Sequence, residues 1–577
     1  MEEQTVEKRC YKSGSIVFIA LFAIRAFSAF YNVIPDADDT FNFWEPTHYL
    51  AFDFGLQTWE YSSKYGLRSF TILVPFALFA KAMNWLFGGN KVLVFYSIRL
   101  LLAFICSLGE TLFIEGVRRF FGKMTSVILF FLLLCSSGMY TASTSFVNSS
   151  LAMISVFFAY GMWMRFDNHF IGLLIGAIAV VCEWPFVGVA FIPMGLDCLY
   201  RRGFKKTLLY AVVIVSLVLG VDLAITYHFT HRLTIPAVNI VLYNVLGIGG
   251  SADLYGVEPW FFYFVNGVLN NSLVIPLALL LPLLLLLPNK LNTTKMQTIL
   301  VIHSGFVLLT IFTCQAHKEE RFLYIIYPLL YLAAAASLTI LLRSIQSLLR
   351  IGNAKLFISF SVSLILLPYL LLSSARIAAS IHYYSSPLIL YNHLATRELG
   401  VNSHTPAIIC LGKEWYRFGS SFFIPNKEQQ VAFVKSGFDG LLPQPFAPGN
   451  GTWVPPEHMN TMNQEEMSRY IDEEECDYLI EQKLEEQVEP DYLQDPRFRV
   501  VEMTQYMDKT RTPFPYRSFY LPLPGVEEKV RYNPYYLARR VVKKEAEPAE
   551  VCVGEDQCVL ESSKEYLDVE EELCCVC

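Results

Sequence analysis

Apolar runs of membrane length recur through the first two thirds of the chain, at residues 14–34, 92–117, 124–142, 150–164, 170–194, 207–227, 260–287, 298–316, 322–342 and 355–374. About 20 apolar residues in a helix match a hydrocarbon layer of about 30 Å, so these runs predict transmembrane helices. A further apolar segment, 70–87, contains Lys81 and Asn84 and decides the topology of every later span. If it crosses fully, Arg118, Arg119 and Lys123 fall on the side of the first polar loop. If it only dips into the membrane, they fall on the opposite side, with Lys8, Arg9, Lys12, Arg165, Arg201, Arg202, Lys290 and Arg343. The positive-inside rule favours the second arrangement. It divides 170–194 into two short helices meeting at Glu183-Trp184-Pro185, where proline breaks the run.

Both arrangements put residues 1–13 in the cytoplasm and the first run in the role of a retained signal anchor. Loops 35–69, 228–259 and 317–321, and everything after 374, then face the lumen. The expected organisation is a transmembrane domain of about 11 spans (14–376), a soluble lumenal α/β domain (377–527) and a charged tail (528–577) without a packed core. In the soluble domain 407–411, 422–424, 478–480 and 498–501 read as strands and 463–470 as a helix.

Composition agrees with a membrane protein: 54% of residues are hydrophobic, 17% are charged and mean hydropathy is +0.39. The net charge of -7 is uneven, with acids gathered in loop 35–69 and beyond 450. No basic patch points to nucleic acid. Of the cysteines, Cys106, Cys135, Cys182 and Cys314 lie in or beside apolar spans and read as packing residues, whereas Cys410 and Cys476 fall in the soluble region, where a disulfide between them is one open alternative if that region faces an oxidising lumen. Among the sequons, Asn450-Gly-Thr falls in the lumenal domain and is the expected glycosylation site. Cys574 has the position of a prenylation site, but a lumenal terminus is out of reach of cytoplasmic enzymes.

Candidate chemistry concentrates in loop 35–69. It opens with Asp36, Asp38 and Asp39 and continues with Glu45, His48, Trp59 and Glu60 among many aromatics. Carboxylates handle hydroxyl protons, and flat rings pack on the apolar faces of sugars. Asp38, Asn42 and Glu45 share a face of a helix starting near Asp36, which Pro46 is expected to end. Adjacent carboxylates about 4 Å apart repel by about 4 kcal/mol at an effective dielectric near 20. They must therefore face different partners, share a proton or hold a cation; Asp38, Asp39, Glu45 and His48 supply oxygen-rich ligands for the last outcome. A solvated helix cap is the simpler alternative.

The lumenal turn His317-Lys318-Glu319-Glu320-Arg321 offers three cations suited to a phosphate. Snorkelling with local ion pairs explains it equally well. Arg25, Glu110 and Asp222 lie within spans and need partners there, with Arg25 and Glu110 a candidate structural pair.

The blocks DDTFNFWEPTHYL with QTWEY, IVLYNV, DLYGVEPWFFYFVNG, HKEERF and GKEWYRF resemble the α-1,2-mannosyltransferases of N-glycan precursor assembly in the endoplasmic reticulum, which belong to glycosyltransferase family 22. The match runs from about residue 36 to past 520, with Asp38-Asp39 standing where the family usually has Asp-Glu. The resemblance implies the class C membrane glycosyltransferase fold. It implies transfer of mannose from dolichyl-phosphate mannose to the dolichyl-diphosphate-linked oligosaccharide, at the Man6GlcNAc2 and Man8GlcNAc2 stages, with no metal or other cofactor. It assigns Asp38 as base, with Asp39 orienting the acceptor or supporting Asp38. His317, Lys318 and Arg321 become binders of the donor phosphate, and Glu45, Trp59, Glu60 and Glu258 contacts to sugars. The rival readings are a glycosylphosphatidylinositol-anchor mannosyltransferase, a lipid-linked sugar flippase, for which the internal repeats are missing, and a non-catalytic subunit.

Overall fold

The computed structural model describes residues 2–541 apart from 251, 289 and 450, with side chains from residue 14 on, and the backbone of Ala549–Cys552 and Cys558–Glu561. Long helices dominate the first 384 residues, including Glu2–Tyr31, Lys91–Phe120, Asn148–Phe166, Phe204–Thr230, Lys295–Cys314, Tyr327–Leu348 and Ala354–Tyr384. Among the described residues six helices are long and apolar enough to cross a membrane, or seven with one bent pair. The chain is a multi-pass membrane protein.

Tyr327–Leu348 is the buried centre of this bundle, with Leu329 through Ala336 almost wholly removed from the surface. Lys91–Phe120 and Asn148–Phe166 pack so closely that a Cβ added at Gly161 would lie 2.6 Å from the Leu112 side chain. Without hydrophobic driving force inside lipid, such approach lets dispersion hold helices together. Arg25 and Glu110 do pair, through Nε–Oε2 at 3.1 Å and a second bond at 2.7 Å, both fully buried. Asp222 accepts hydrogen bonds from Ser69 (2.5 Å) and Thr71 (2.7 Å).

Several apolar runs are broken. Residues 124–142 form two helices, Lys123–Leu134 and Ser137–Ala142, and Phe262–Asn271 meets Val274–Leu284 at 111° in place of one span over 260–287. Ser272, at φ 44°, makes that corner. As expected, His169–Ile178 and Gly188–Arg202 are separate helices turning near Trp184-Pro185. The segment at 70–87 yields Leu73–Leu86, 14 residues long, which rises about 21 Å and falls short of a full crossing.

The domain after the helical bundle is a five-stranded sheet in the order 429–433, 407–411, 478–482, 532–540, 498–507. The first three strands are parallel and the last two join antiparallel. Tyr535 and Leu537 pack on one face and Tyr536 and Ala538 on the other, so Tyr532–Arg540 is an interior strand. This corrects the boundary expected at 527. Ala549–Cys552 and Cys558–Glu561 also pair, and the rest of the tail lies outside the described residues. Residues 421–423 form a 3-10 turn, not a strand, because Phe422 and Phe423 plug against Trp44 and Phe95. Only Met467–Arg469 of the helix expected over 463–470 is helical. A disulfide joins Cys410 to Cys476.

The first polar loop, 35–69, locks onto this domain. Leu56–Gln57 pairs antiparallel with Gln444–Pro445, Tyr49 stacks on Phe446 with ring centres 4.0 Å apart, and Thr40 donates to the Phe418 carbonyl at 2.9 Å. The sheet thereby becomes the scaffold of the loop that carries the acids.

Candidate active site

Asp36 caps the loop helix, its side chain accepting from the Asp38 amide at 2.9 Å. The helix then passes through a π turn, Thr40–Trp44, into Glu45–Phe52. Pro46 does not end it. The π turn bonds the Glu45 amide to the Thr40 carbonyl, and the Asn42 carbonyl that Pro46 leaves without a donor is taken by the Tyr61 hydroxyl at 2.8 Å. The extra residue of the π turn advances the register by about 100°. Asp38, Asn42 and Glu45 consequently go to different places.

Asp38 keeps about a third of its side chain exposed and lies between two arginines, Arg321 at 2.8 Å and Arg68 at 3.7 Å. Arg321 is buried, also pairs with Glu319, and approaches Asp36 at 3.8 Å. Arg68 is held by Glu60, whose own pKa burial raises. Burial likewise pushes Asp36 up to about 6, against the pull of Arg321. Glu319 is buried too, but Arg321 and His317 hold it down at about 2. His317 is fixed by the Gly256 carbonyl (2.8 Å) and Glu319 (3.0 Å); burial opposes its charge, and these bonds raise its pKa.

Beside Arg321 opens a cleft of about 430 Å³ between the bundle and the sheet domain. Four cations line it, Arg321, Arg376, Lys509 and Arg517, against two acids, Asp36 and Glu320. Among the described residues no ion pair engages Arg376, Lys509 or Arg517. Arg376 is aimed by bonds to Asn270 (2.9 Å) and the Ser518 carbonyl (3.1 Å). The arrangement suits an anion with a reacting group placed next to Asp38.

Five expected roles are redirected by the geometry. Asp39 is 2% exposed, one of its oxygens has no hydrogen bond, and burial drives its pKa well upward. It sits behind the surface that Asp38 presents. Glu45 is fully buried and accepts from the Leu56 amide (2.8 Å), the Ser420 hydroxyl (2.9 Å), and the Ser421 amide (2.6 Å) and hydroxyl (2.7 Å). It latches loop to domain and is not open to a sugar. Trp59 is packed by Tyr65, Tyr243, Leu67 and Met459. Lys318 is buried and donates to the carbonyls of Glu258, at 2.8 Å, and Gln315, which commits its ammonium to the turn. The Glu258 side chain is exposed and outside the cleft. Nor do Asp38, Asp39, Glu45 and His48 converge as metal ligands, since both His48 nitrogens are engaged, by the Phe54 carbonyl (2.7 Å) and Lys91 (3.0 Å). Asn450 lies outside the described residues.

Comparison with known proteins places this geometry. Residues 16–425 match the Alg9-like mannosyltransferase family. The chain belongs to that family. The Alpha-1,2-mannosyltransferase alg9 of Schizosaccharomyces pombe is 37% identical over 551 residues, covering 89% of this chain and 93% of the relative. The Alpha-1,2-mannosyltransferase ALG9 of Mus musculus is 36% identical over 550 residues, covering 92% and 89%. ArnT from Cupriavidus metallidurans bound to undecaprenyl phosphate shares the fold, with a TM-score of 0.50 and 11% identity over 74% of this chain and 86% of that one. The family makes the protein a glycosyltransferase of the class C membrane fold. Within this Alg9-like enzyme, sequence reasoning missed Arg68, Arg376, Lys509 and Arg517. Arg68 and Arg376 are single basic residues at the edges of apolar runs, and Lys509 and Arg517 lie together in the segment after Phe498–Met507, so the only legible signal was scattered basic charge.

Proposed function

We propose that this enzyme transfers mannose from dolichyl-phosphate mannose to the dolichyl-diphosphate-linked oligosaccharide, forming α-1,2 linkages at the Man6GlcNAc2 and Man8GlcNAc2 stages, at the lumenal face of the endoplasmic reticulum membrane. One observation carries the reading: a partly exposed carboxylate, Asp38, is flanked by two arginines, one of which, Arg321, also lines a cationic cleft. In the donor, mannose is bonded directly to phosphate, so the phosphate must lie one sugar ring from the base. The acceptor's diphosphate is separated from the reacting hydroxyl by the glycan. The cleft beside Asp38 is therefore the donor's.

A β-linked donor giving an α-linked product requires inversion in a single displacement. The acceptor hydroxyl oxygen attacks C1 of mannose, Asp38 accepts its proton, and the bond from C1 to the phosphate oxygen breaks with its electron pair leaving on dolichyl phosphate. The phosphate passes from a diester with one charge to a monoester with two. Arg321, supported by His317 through Glu319, meets that growing charge with Arg376, Lys509 and Arg517, and no cofactor besides the donor is used. Asp39 supports the Asp38 helix from behind. The Cys410–Cys476 disulfide favours the oxidising lumen.

Purified protein in lipid nanodiscs, supplied with dolichyl-phosphate mannose and Man6GlcNAc2-diphosphate-dolichol, is expected to add one mannose that an α-1,2-specific mannosidase removes. Absence of transfer, or a mannosidase-resistant product, overturns the reading.

A further inference from the structure

The block GKEWYRF belongs to the lumenal domain, outside the catalytic loop, and its side chains divide between two tasks. Trp415 and Phe418 face inward, packing on Phe41 of the acidic loop at ring separations of 5.8 and 6.1 Å. Tyr416 and Arg417 face the other way, into a second cleft of about 340 Å³. That size is in the range of small-ligand sites. The cleft shares Tyr506 and Lys509 with the cationic cleft, so the two adjoin along the same wall.

Their chemistry differs. In the second cleft every charge except Lys509, which it shares with the cationic cleft, is matched within the protein: Arg417 bonds Glu414 (2.6 Å) and Gln482 (2.9 Å), Lys413 pairs with Glu481 (2.9 Å), and Asp508 with Arg511 (2.8 Å). Glu414, Gln482 and Asn533 are at least nine-tenths buried, so the polar wall is rigid. Arg417 is clamped by the rings of Tyr416 (4.7 Å) and Tyr506 (4.1 Å). Yet Tyr416, a large aromatic in a domain with a packed core, remains 41% exposed. A flat ring left in water beside fixed amides and paired charges suits a neutral, hydroxyl-rich ligand and not an anion.

Resting on the mannosyltransferase reading, we propose that this cleft holds the mannose-rich arm of the acceptor oligosaccharide, with one sugar stacked on Tyr416 and its hydroxyls on the Arg417–Gln482–Asn533 wall. The lumenal domain then sets acceptor affinity, while the donor cleft next to it carries the reaction.

The test is steady-state kinetics of the full-length enzyme in nanodiscs with both lipid-linked substrates. Tyr416→Ala is expected to raise the acceptor KM about fivefold to tenfold, the order of one lost aromatic contact, with donor KM and kcat within about twofold. Tyr416→Phe, which keeps the ring, stays near wild type. If Tyr416→Ala does not fold, Tyr416→Leu, which fills the space without a flat face, is expected to show the same acceptor-selective rise. An unchanged acceptor KM in the folded variant, or equal rises for donor and acceptor, overturns the cleft's role and leaves the mannosyltransferase reading standing. Binding of a free oligomannose glycan to the purified protein gives a readout independent of transfer. Weakening in Tyr416→Ala but not in Tyr416→Phe supports the cleft, and a glycan bound equally by both, or by neither these nor wild type, overturns it.

Discussion

The stretch from Asp38 to Glu45 carries an acid at each end, yet the structure treats the two in opposite ways. At the far end Glu45 is closed in by four donors that belong to the protein, from Leu56, Ser420 and Ser421. At the near end Asp38 meets only the long side chains of Arg321 and Arg68 and keeps contact with solvent. Backbone amides and serines in a packed seam have nowhere else to go, whereas arginines at a cleft edge can turn to an arriving phosphate. A carboxylate satisfied by fixed donors is architecture; one satisfied by movable cations is available for chemistry.

The largest break in this comparison comes from Asp38→Asn. It removes the proton acceptor while keeping shape, and transfer is expected to fall about 10²- to 10⁴-fold, the usual contribution of a general base, with yield and thermal stability in detergent unchanged. Asp39→Asn is the sharpening control. Burial already favours the protonated, amide-like form of Asp39, so its kcat/KM is expected to stay within about tenfold of wild type on the same scale. Equal losses in the two variants would make the pair a functional dyad and erase the distinction.

Glu45→Ala addresses the other end. It strands several buried donors at about 1–3 kcal/mol each, partly relieved by rearrangement, so a stability loss of about 3–5 kcal/mol is expected, as for breaking a buried charged network. Detergent thermostability measures it. Molecules that remain folded should keep a kcat within a few-fold of wild type, which is the reverse of the Asp38 pattern. A stable but inactive Glu45→Ala would return Glu45 to the substrate.

Much of the site was legible in the sequence. Asp38 and Arg321 stood out because each is a chemistry-bearing residue in a polar segment between apolar runs, and the topology read from the charge pattern put both segments on the same side of the membrane. The break at Trp184-Pro185 could be read from proline. Glu45 could not be separated from Asp38, because its partners Ser420 and Ser421 lie 375 and 376 residues away and serines announce nothing. Pro46 misled because a π turn absorbs it and the Tyr61 hydroxyl replaces the lost donor, a long-range compensation that local rules omit. Arg376, Lys509 and Arg517 became a group only when Ala354–Tyr384 and the segment after Phe498–Met507 met over one cleft. The strand Tyr532–Arg540 was hidden by the charged sequence around it.

The smallest expected effect tests how finely the near end is tuned. Burial raises Asp36 to about 6, and the charged groups around it are Arg321, Asp38 and Glu319. A carboxyl raised above its unfolded value contributes stability that is full below about pH 4 and lost as pH rises through about 6. The same proton affects the donor site. Above pH 6 Asp36 gains a negative charge on the lining of the cleft that receives the phosphate and draws on Arg321. One charge about 6 Å away in a water-like dielectric is worth about 0.7 kcal/mol, or about threefold in binding. The donor KM is therefore expected to rise about threefold between pH 5 and pH 7, and Asp36→Asn, with no charge to gain, should flatten that slope while leaving the acceptor KM as it was. A slope of equal steepness in Asp36→Asn would move the titration to His317. A slope of opposite sign would mean that ionised Asp36 orients Arg321 toward the phosphate more than it competes for it.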